Sequence, residues 1–145
     1  LIRLKKGNVE RNLKHEYQKN IEIDSIIYSN EESLEKSISK SELVIVTYDS
    51  TVFLEALTLN VPTCLFIRKD FWEMSDQSAQ FFENFLHCGV LHYDENSLVN
   101  HIIKVKDNYH EWWYSDLVQN SINSFLQKFG SSSDHWQKDW YDQNF

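Results

Sequence analysis

Residues 41–66 read SELVIVTYDSTVFLEALTLNVPTCLF, and this stretch decides the fold. The apolar run at residues 43–47 predicts a buried parallel strand, and a polar turn then leads into a helix at residues 51–59. Pro62 introduces a second buried strand at residues 63–67. In such a unit, the first turn of the helix directs backbone N–H groups beyond the carboxyl end of the first strand. The stretch therefore predicts a parallel α/β fold with an anion-binding position at one edge.

The alternation of strands and helices continues through residue 106, which predicts a Rossmann-like parallel sheet flanked by helices. We therefore divide the chain into a nucleotide-binding core at residues 1–106 and an aromatic-rich helical tail at residues 107–145. The indoles of Trp136 and Trp140 make a large apolar face, and two explanations stay open for it. The tail packs either on the core or on a separate amino-terminal domain. We expect such a domain because the chain does not begin with Met.

Composition and charge narrow the classes of function. A net charge of −8 over 145 residues argues against a general binder of nucleic acid or of anionic membranes, because phosphates require a basic surface. The sequence contains neither an apolar run of membrane-spanning length nor a signal peptide at its start. Its only cysteines, Cys64 and Cys88, are too few for a disulfide framework, so we expect a cytoplasmic setting.

The turn between residues 47 and 51 carries the candidate site. Ser50 and Thr51 add hydroxyl donors to the N–H groups of a helix start, where the helix dipole also favours an anion such as a nucleotide phosphate. Glu55 follows Thr51 by one helical turn, and a carboxylate there can accept hydrogen bonds from a ribose diol. The ordinary alternative is that Ser50 caps the helix and Glu55 is a common helix former.

The loop at residues 68–74 follows the second strand at the same sheet edge as Ser50. Trp72 or Phe71 could stack on a nucleotide base, and a buried aromatic anchor for a surface loop is an equal alternative. His87, Cys88 and His92 do not supply the four ligands of a structural zinc site, so we expect no metal. His87 lies near a helix end, where we expect it to interact with terminal carbonyl groups.

The pattern of these residues resembles a known group of enzymes. The residues that carry the likeness are Thr47-Tyr48, Ser50-Thr51, Phe53-Leu54-Glu55, Asn60-Val61-Pro62, Phe71-Trp72-Glu73, Phe81-Phe82, Gly89-Val90-Leu91-His92, Trp112-Trp113, Val118-Gln119, Phe125, Trp136 and Trp140. The chain resembles the nucleotide-binding half of GT-B-type transferases. More narrowly, it is similar to a family of surface-carbohydrate transferases first named from Leptospira sequences.

The resemblance implies a division of labour between two domains. In GT-B enzymes the carboxyl-terminal, Rossmann-like domain binds the activated donor, and the amino-terminal domain brings the acceptor and often the catalytic base. By resemblance, Ser50 and Thr51 would bind the donor phosphates and Glu55 the ribose. Arg3 would be a cation near the pyrophosphate, with Lys5 and Lys6 as alternatives to it.

The implied function is that of the donor-binding half of a glycosyltransferase-like enzyme in surface polysaccharide biosynthesis. Its partners would be a nucleotide-activated sugar and the amino-terminal domain, with no metal or other cofactor. The resemblance assigns no catalytic residue, and we expect this chain alone to be inactive. Two alternatives stay open, which are half of a nucleotide-sugar epimerase and a non-catalytic interaction domain that keeps the fold.

Overall fold

A computed structural model describes residues 33–48, 50–71 and 75–130 of the chain. Clustering of Cα atoms divides the chain into two compact units, residues 1–37 and residues 38–145. Apart from one helix that spans this division, everything described below lies in the second unit.

The described elements alternate between helix and strand. In chain order they are α1 (Leu34–Ser39), β1 (Val44–Val46), α2 (Thr51–Thr58), β2 (Thr63–Phe66), a 3-10 turn (Lys69–Phe71), α3 (Asp76–Cys88), β3 (Leu91–His92), α4 (Glu95–Val105), α5 (Tyr109–Trp113) and α6 (Asp116–Phe129). The strands and helices that the sequence predicts between residues 43 and 129 are thus confirmed to within a residue or two. The helix that the sequence predicts from the Asn30 cap to Ser39 is described only from Leu34. Three further elements predicted from the sequence, a helix at residues 132–141 and strands at residues 2–4 and 21–23, lie outside the described residues.

The three strands form one parallel sheet in the order β1-β2-β3. In its register Val46 pairs with Leu65, and Leu65 pairs with Leu91. The predicted parallel α/β fold is confirmed at this level. In a parallel sheet all strand-to-helix turns lie at one edge, here named the carboxyl edge. The helix-to-strand turns before β2 and β3 lie at the opposite, amino edge.

Side chains alternate between the two faces of the sheet, as in any strand. Leu65 and Leu91 point toward the main core, which they share with α2, α3 and α6. Cys64 and His92 belong to the other face, where α4 packs on β2 and β3. We expected β1 to be covered on both faces, but Ile45 is 46% exposed. In the described part of the chain, β1 is an outer strand of the sheet, and the main contacts of α4 are with β2 and β3.

The main core is rich in aromatic rings. The centroid of Phe125 on α6 lies 5.0 Å from that of Phe85 and 5.8 Å from that of Phe82, both on α3. It also lies 6.2 Å from the centroid of Phe53 on α2. Tilted and edge-on ring pairs at these distances stabilise a core beyond simple burial. The segment that follows residue 106 therefore packs on the sheet through α6.

Local signals fix where the helices begin and end. The Asp94 side chain caps α4 by accepting a hydrogen bond from the Ser97 N–H over 2.8 Å. Gly89 ends α3 with a left-handed φ of 79°. A Cβ atom built on Gly89 would lie 2.4 Å from Cε1 of His101, so the position requires glycine for its space as well.

Two adjacent indoles of α5, those of Trp112 and Trp113, bind residues at or just after the carboxyl ends of α3 and α2. Nε1–H of Trp112 donates to the carbonyl oxygen of Cys88, the last residue of α3, over 2.8 Å. Nε1–H of Trp113 donates to Asn60, just after α2, at 3.1 Å from its carbonyl oxygen and 2.8 Å from Oδ1. The last carbonyls of a helix have no partner within the helix, and Trp112 supplies one for Cys88 at the end of α3. Trp113 binds the turn that follows α2.

Candidate functional site

Ser50 stands between β1 and α2, at the carboxyl edge of the sheet. Its backbone is extended, with φ −159° and ψ 164°, and its side chain makes no capping hydrogen bond to α2. Its Oγ exposes less than 1 Å² and has no hydrogen-bond partner in the described part of the chain. Polar atoms shielded from water are nearly always hydrogen-bonded, so this hydroxyl is an exception that requires an explanation.

The start of α2 presents the positive end of the helix dipole. The first turn of this helix carries no acidic residue, so none of its own carboxylates offsets the partial charge of the terminal N–H groups. Thr51 is the first residue of the helix and its side chain is exposed. Glu55 is half-buried one turn later, on the same side of the helix as Thr51. The expected spacing of hydroxyls and carboxylate along α2 is thus present.

Cationic side chains follow β2 at the same edge. Arg68 and Lys69 come directly after this strand and are exposed. Nζ of Lys69 lies 5.8 Å from the ring centroid of Tyr93, which follows β3, so these two turns meet. The carboxyl edge therefore combines a helix whose first turn has no acidic residue with positive side chains, which is an arrangement suited to an anion.

Not every residue of the predicted site is described. Arg3 and Trp72 lie outside the described residues, as does Asp49 in the turn itself. Phe71 ends the 3-10 turn. The structure brings Ser50, Thr51 and Glu55 onto one helix, and their role in binding stays a prediction.

A buried polar cluster lies on the sheet face covered by α4, and the sequence did not reveal it. Cys64 of β2, His92 of β3 and His101 of α4 each offer one donor atom, and these atoms lie within 4.8 Å of one another. The grouping considered from the sequence is different. His87 is exposed, and its Nδ1 lies 3.2 Å from the carbonyl oxygen of Glu83, one turn back within α3 rather than at the terminal carbonyls that we expected. Cys88 points into the main core.

The carbonyl oxygen of Gly89 organises this cluster. It accepts a hydrogen bond from Nε2 of His92 at 2.9 Å and a longer one from Sγ of Cys64 at 3.9 Å. Nδ1 of His92 lies 2.9 Å from Ser97 Oγ, so both ring nitrogens of His92 have partners. Nε2 of His101 is shielded from solvent and has none among the described residues.

Burial keeps all three groups of the cluster uncharged. It raises the pKa of Cys64 to about 12, with a further contribution from the neighbouring Cys88. It lowers the pKa of His101 to about 4, and the charges of His92 and Lys104 act in the same direction. Burial also lowers the pKa of His92, against the opposing effects of the Gly89 carbonyl and Asp94. At neutral pH the cluster therefore consists of a thiol and two neutral imidazoles.

A cleft of about 740 Å³ borders this cluster. Its lining includes both histidines of the cluster together with Ser97, Lys104 and Glu111. Cys64 is fully buried beneath them. Among the described residues, none that lines the cleft belongs to β1 or α2.

Comparison with known proteins identifies the family. A family model described as LIC12162 family transferase matches residues 5–143, which is nearly the whole chain. The chain belongs to this family of transferases. No curated protein and no solved structure matches the chain. The expected membership of a transferase family is thereby confirmed.

The described part of this LIC12162 family transferase has two groups of side chains that are candidates for ligand binding. One is the β1–α2 turn that the sequence predicted, and the other is the buried cluster beneath the cleft. In the described part of the chain, no helix combines the length and the apolar character needed to cross a bilayer.

Proposed function

We propose that this LIC12162 family transferase binds the diphosphate of a nucleotide-activated sugar at the start of α2. In this proposal the chain is the donor-binding, carboxyl-terminal half of a GT-B-type glycosyltransferase. The observation that carries it is the Ser50 hydroxyl, which is shielded from water, has no partner in the described residues and stands at a helix start. A phosphate oxygen would give that hydroxyl the hydrogen bond it lacks, once rotation of the Ser50 side chain or a shift of the atoms that cover it opens the approach.

Each residue of the turn has a distinct role. Ser50 Oγ–H and the first N–H groups of α2 donate to the phosphate nearer the sugar, and Thr51 Oγ1–H donates to the same diphosphate. Glu55 accepts hydrogen bonds from the ribose hydroxyls. Arg68 and Lys69 raise the local positive potential at an otherwise acidic protein, whose net charge is −8.

In this proposal, the donor-binding domain contributes to catalysis by stabilising the leaving group. An acceptor oxygen forms a bond to the anomeric carbon while the bond from that carbon to the donor phosphate breaks. The electron pair goes to the nucleoside diphosphate, whose negative charge the helix start and its hydroxyls stabilise. The proton of the acceptor passes to a base that we assign to the amino-terminal domain. Positioning and charge stabilisation from this half require no metal.

The remaining parts of the proposal rest on the family and the resemblance. Arg3, or Lys5 and Lys6 in its place, would approach the pyrophosphate, and Trp72 would stack on the base. The acceptor would be a precursor of a surface polysaccharide. The two free cysteines are compatible with the reducing conditions of the cytoplasm, where we place the reaction.

Titration of the chain with UDP, CDP and GDP, followed through its backbone amide signals, tests the proposal. We expect saturable shifts at Ser50, Thr51 and Glu55 with at least one of the three. Thr51→Ala should weaken diphosphate binding about tenfold or more while leaving affinity for the bare nucleoside unchanged. Thr58→Ala is the matched control, since Thr58 lies at the far end of α2 and donates to the Leu54 carbonyl oxygen over 2.8 Å.

Two outcomes would contradict the donor site. Amide signals that stay unchanged at millimolar concentrations of all three nucleotides would favour the non-catalytic interaction domain. Equal weakening by Thr51→Ala and Thr58→Ala would mean that the loss comes from the stability of α2 rather than from a phosphate contact.

A further inference from the structure

The buried cluster on the face of the sheet covered by α4 has the composition of a metal site. We propose that Cys64, His92 and His101 bind one divalent transition-metal ion, of the kind represented by zinc, at the floor of the cleft. This departs from the expectation of no metal, which considered His87 and Cys88 in place of Cys64 and His101. The site shares no residue with the proposed nucleotide site at the start of α2.

The spacing of the donor atoms suits one ion. Three atoms no more than 4.8 Å apart share a point that is at most about 2.8 Å from each, whereas zinc bonds measure roughly 2.0–2.1 Å to nitrogen and 2.3 Å to sulfur. Closing the site therefore requires each donor to move by well under 1 Å. Rotation about side-chain bonds supplies such shifts without changing the sheet.

The chemistry of the donors selects a zinc-like ion. One thiolate and two imidazoles form a soft-to-intermediate set that suits zinc and its cobalt substitute and does not suit magnesium or calcium. Nε2 of His101 has no hydrogen-bond partner among the described residues, so its lone pair needs no displacement. On binding, the Cys64 S–H bond breaks, the sulfur pair forms the bond to the metal, and one proton leaves to solvent.

The surroundings can orient the ligands. His92 has two ring contacts, to the Gly89 carbonyl and to Ser97 Oγ, and gives up one of them to bind the ion. The contact that stays fixes the orientation of the ring, as outer hydrogen bonds do for most metal-binding histidines. The cleft supplies an entry path, and its solvent provides a fourth ligand.

The competing explanation is a structural cluster that binds nothing. In that case the Gly89 carbonyl simply satisfies a buried thiol and a buried imidazole, and His101 packs its ring on Gly89 and on Trp112, 4.6 Å away between centroids. Both explanations predict that the cluster contributes to stability. Only the metal site predicts stoichiometric binding that involves the Cys64 sulfur.

The test is titration of the reduced, metal-free chain with Co²⁺ and then with Zn²⁺. We expect one equivalent of Co²⁺ to bind with the visible bands of a tetrahedral site and a sulfur-to-cobalt charge-transfer band, and Zn²⁺ to displace it. Cys64→Ser should remove the charge-transfer band. His101→Gln should weaken affinity at least about 100-fold, since even changes outside the ligand shell weaken binding 10- to 100-fold.

The chain offers a matched control for each ligand. Cys88→Ser alters the other free cysteine, and His87→Gln alters an exposed histidine on the preceding helix. Both should bind Co²⁺ as the unmodified chain does, with the same bands. Circular dichroism of every variant shows whether it is folded.

Because Cys64→Ser could unfold the chain, X-ray absorption at the zinc edge of the unmodified protein provides a second measurement. We expect one zinc–sulfur distance of about 2.3 Å together with zinc–nitrogen distances of about 2.0–2.1 Å. The proposal is overturned if less than one equivalent of Co²⁺ binds, if the charge-transfer band is absent, or if Cys88→Ser removes that band instead. A zinc spectrum without a sulfur ligand would also overturn it.

Discussion

Nε1–H of Trp113 donates to Oδ1 of Asn60 over 2.8 Å, which joins α5 to the turn between α2 and β2. Asn60 has a left-handed backbone with φ 52°, which is uncommon for a residue other than glycine. Its Oδ1 also accepts from Nε2 of Gln119 at 3.2 Å. Asn60 thus occupies a left-handed turn position and also accepts hydrogen bonds from two side chains.

This double role predicts a graded response to substitution at Asn60. Asn60→Gly should reduce the free energy of unfolding by about 1–3 kcal/mol, because the Trp113 and Gln119 donors lose their acceptor. Asn60→Ala should cost about 1 kcal/mol more, since a Cβ disfavours the left-handed conformation. Urea unfolding measures both values. Equal values for the two variants would show that the backbone conformation does not limit the choice of residue.

Truncation of Phe125 tests whether α6 belongs to the core. Phe125→Ala should lower the free energy of unfolding by about 3–5 kcal/mol, because it leaves a cavity among the rings of α2 and α3. Phe129→Ala is the control, as Phe129 lies on the same helix but is 40% exposed. Similar small losses for both variants would support the predicted boundary after residue 106 as the limit of an independent core.

The buried histidines predict a loss of stability in acid. The pKa of His101 is about 4 in the folded chain, against about 6.5 when unfolded. The unfolded chain therefore takes up the proton first, so the contribution is complete above pH 6.5 and is lost as the pH falls toward 4. The lowered pKa of His92 contributes to the same loss of stability in acid. The positive charge of Lys104 opposes protonation of His101.

Unfolding curves between pH 7 and pH 4, in the presence of a chelator, measure this effect. We expect His101 to account for about 1–2 kcal/mol after allowance for partial solvent screening. His101→Gln should flatten the pH dependence, and His87→Gln, which changes an exposed side chain, should leave it unaltered. An unchanged slope in His101→Gln would contradict the assignment.

The close approach of Gly89 and His101 predicts energetic coupling. Gly89→Ala should destabilise the chain by more than about 2 kcal/mol, because the new methyl group meets the imidazole ring and the left-handed backbone becomes strained. Adding His101→Ala removes the steric part and should recover at least about 1 kcal/mol in a double-mutant cycle. Strictly additive losses would mean that the ring moves aside at no cost.

Glu55 predicts a change in ligand affinity without a change in stability. If it accepts hydrogen bonds from a ribose, Glu55→Ala should weaken nucleotide binding by about 1–3 kcal/mol and leave the melting temperature nearly unchanged. Isothermal titration with the nucleotide that binds best measures the first effect. Glu83→Ala removes an exposed carboxylate from α3 and serves as control. Identical affinities for Glu55→Ala and the unmodified chain would place the ribose elsewhere.

Sequence patterns that span only a few residues were sufficient to predict most of the described helices and strands. The left-handed end of α3 at Gly89 and the cap of α4 at Asp94 follow from the residue types alone. The β1–α2–β2 unit follows from two apolar runs around a short amphipathic helix. Exposure of Ile45 was not predictable, because it depends on which strand lies outermost and on where α4 packs.

The two candidate sites also differ in how far they could be predicted from the sequence. Ser50, Thr51 and Glu55 are close in sequence, so their placement on one helix could be predicted, whereas the isolation of the Ser50 hydroxyl required coordinates. Cys64, His92 and His101 come together only through the pairing of β2 with β3 and the rotation of α4. No local pattern encodes that register, so the sequence pointed to the neighbouring His87 and Cys88 instead.

The hydrogen bonds of Trp112 and Trp113 restrict where residues can be inserted into or deleted from this chain. Their indoles reach opposite crossover helices only because consecutive residues of α5 point about 100° apart. An inserted or deleted residue within Tyr109–Trp113 would turn one indole away from its carbonyl whatever the new residue was. Among homologues, length variation should therefore fall in the surrounding loops and spare this five-residue helix.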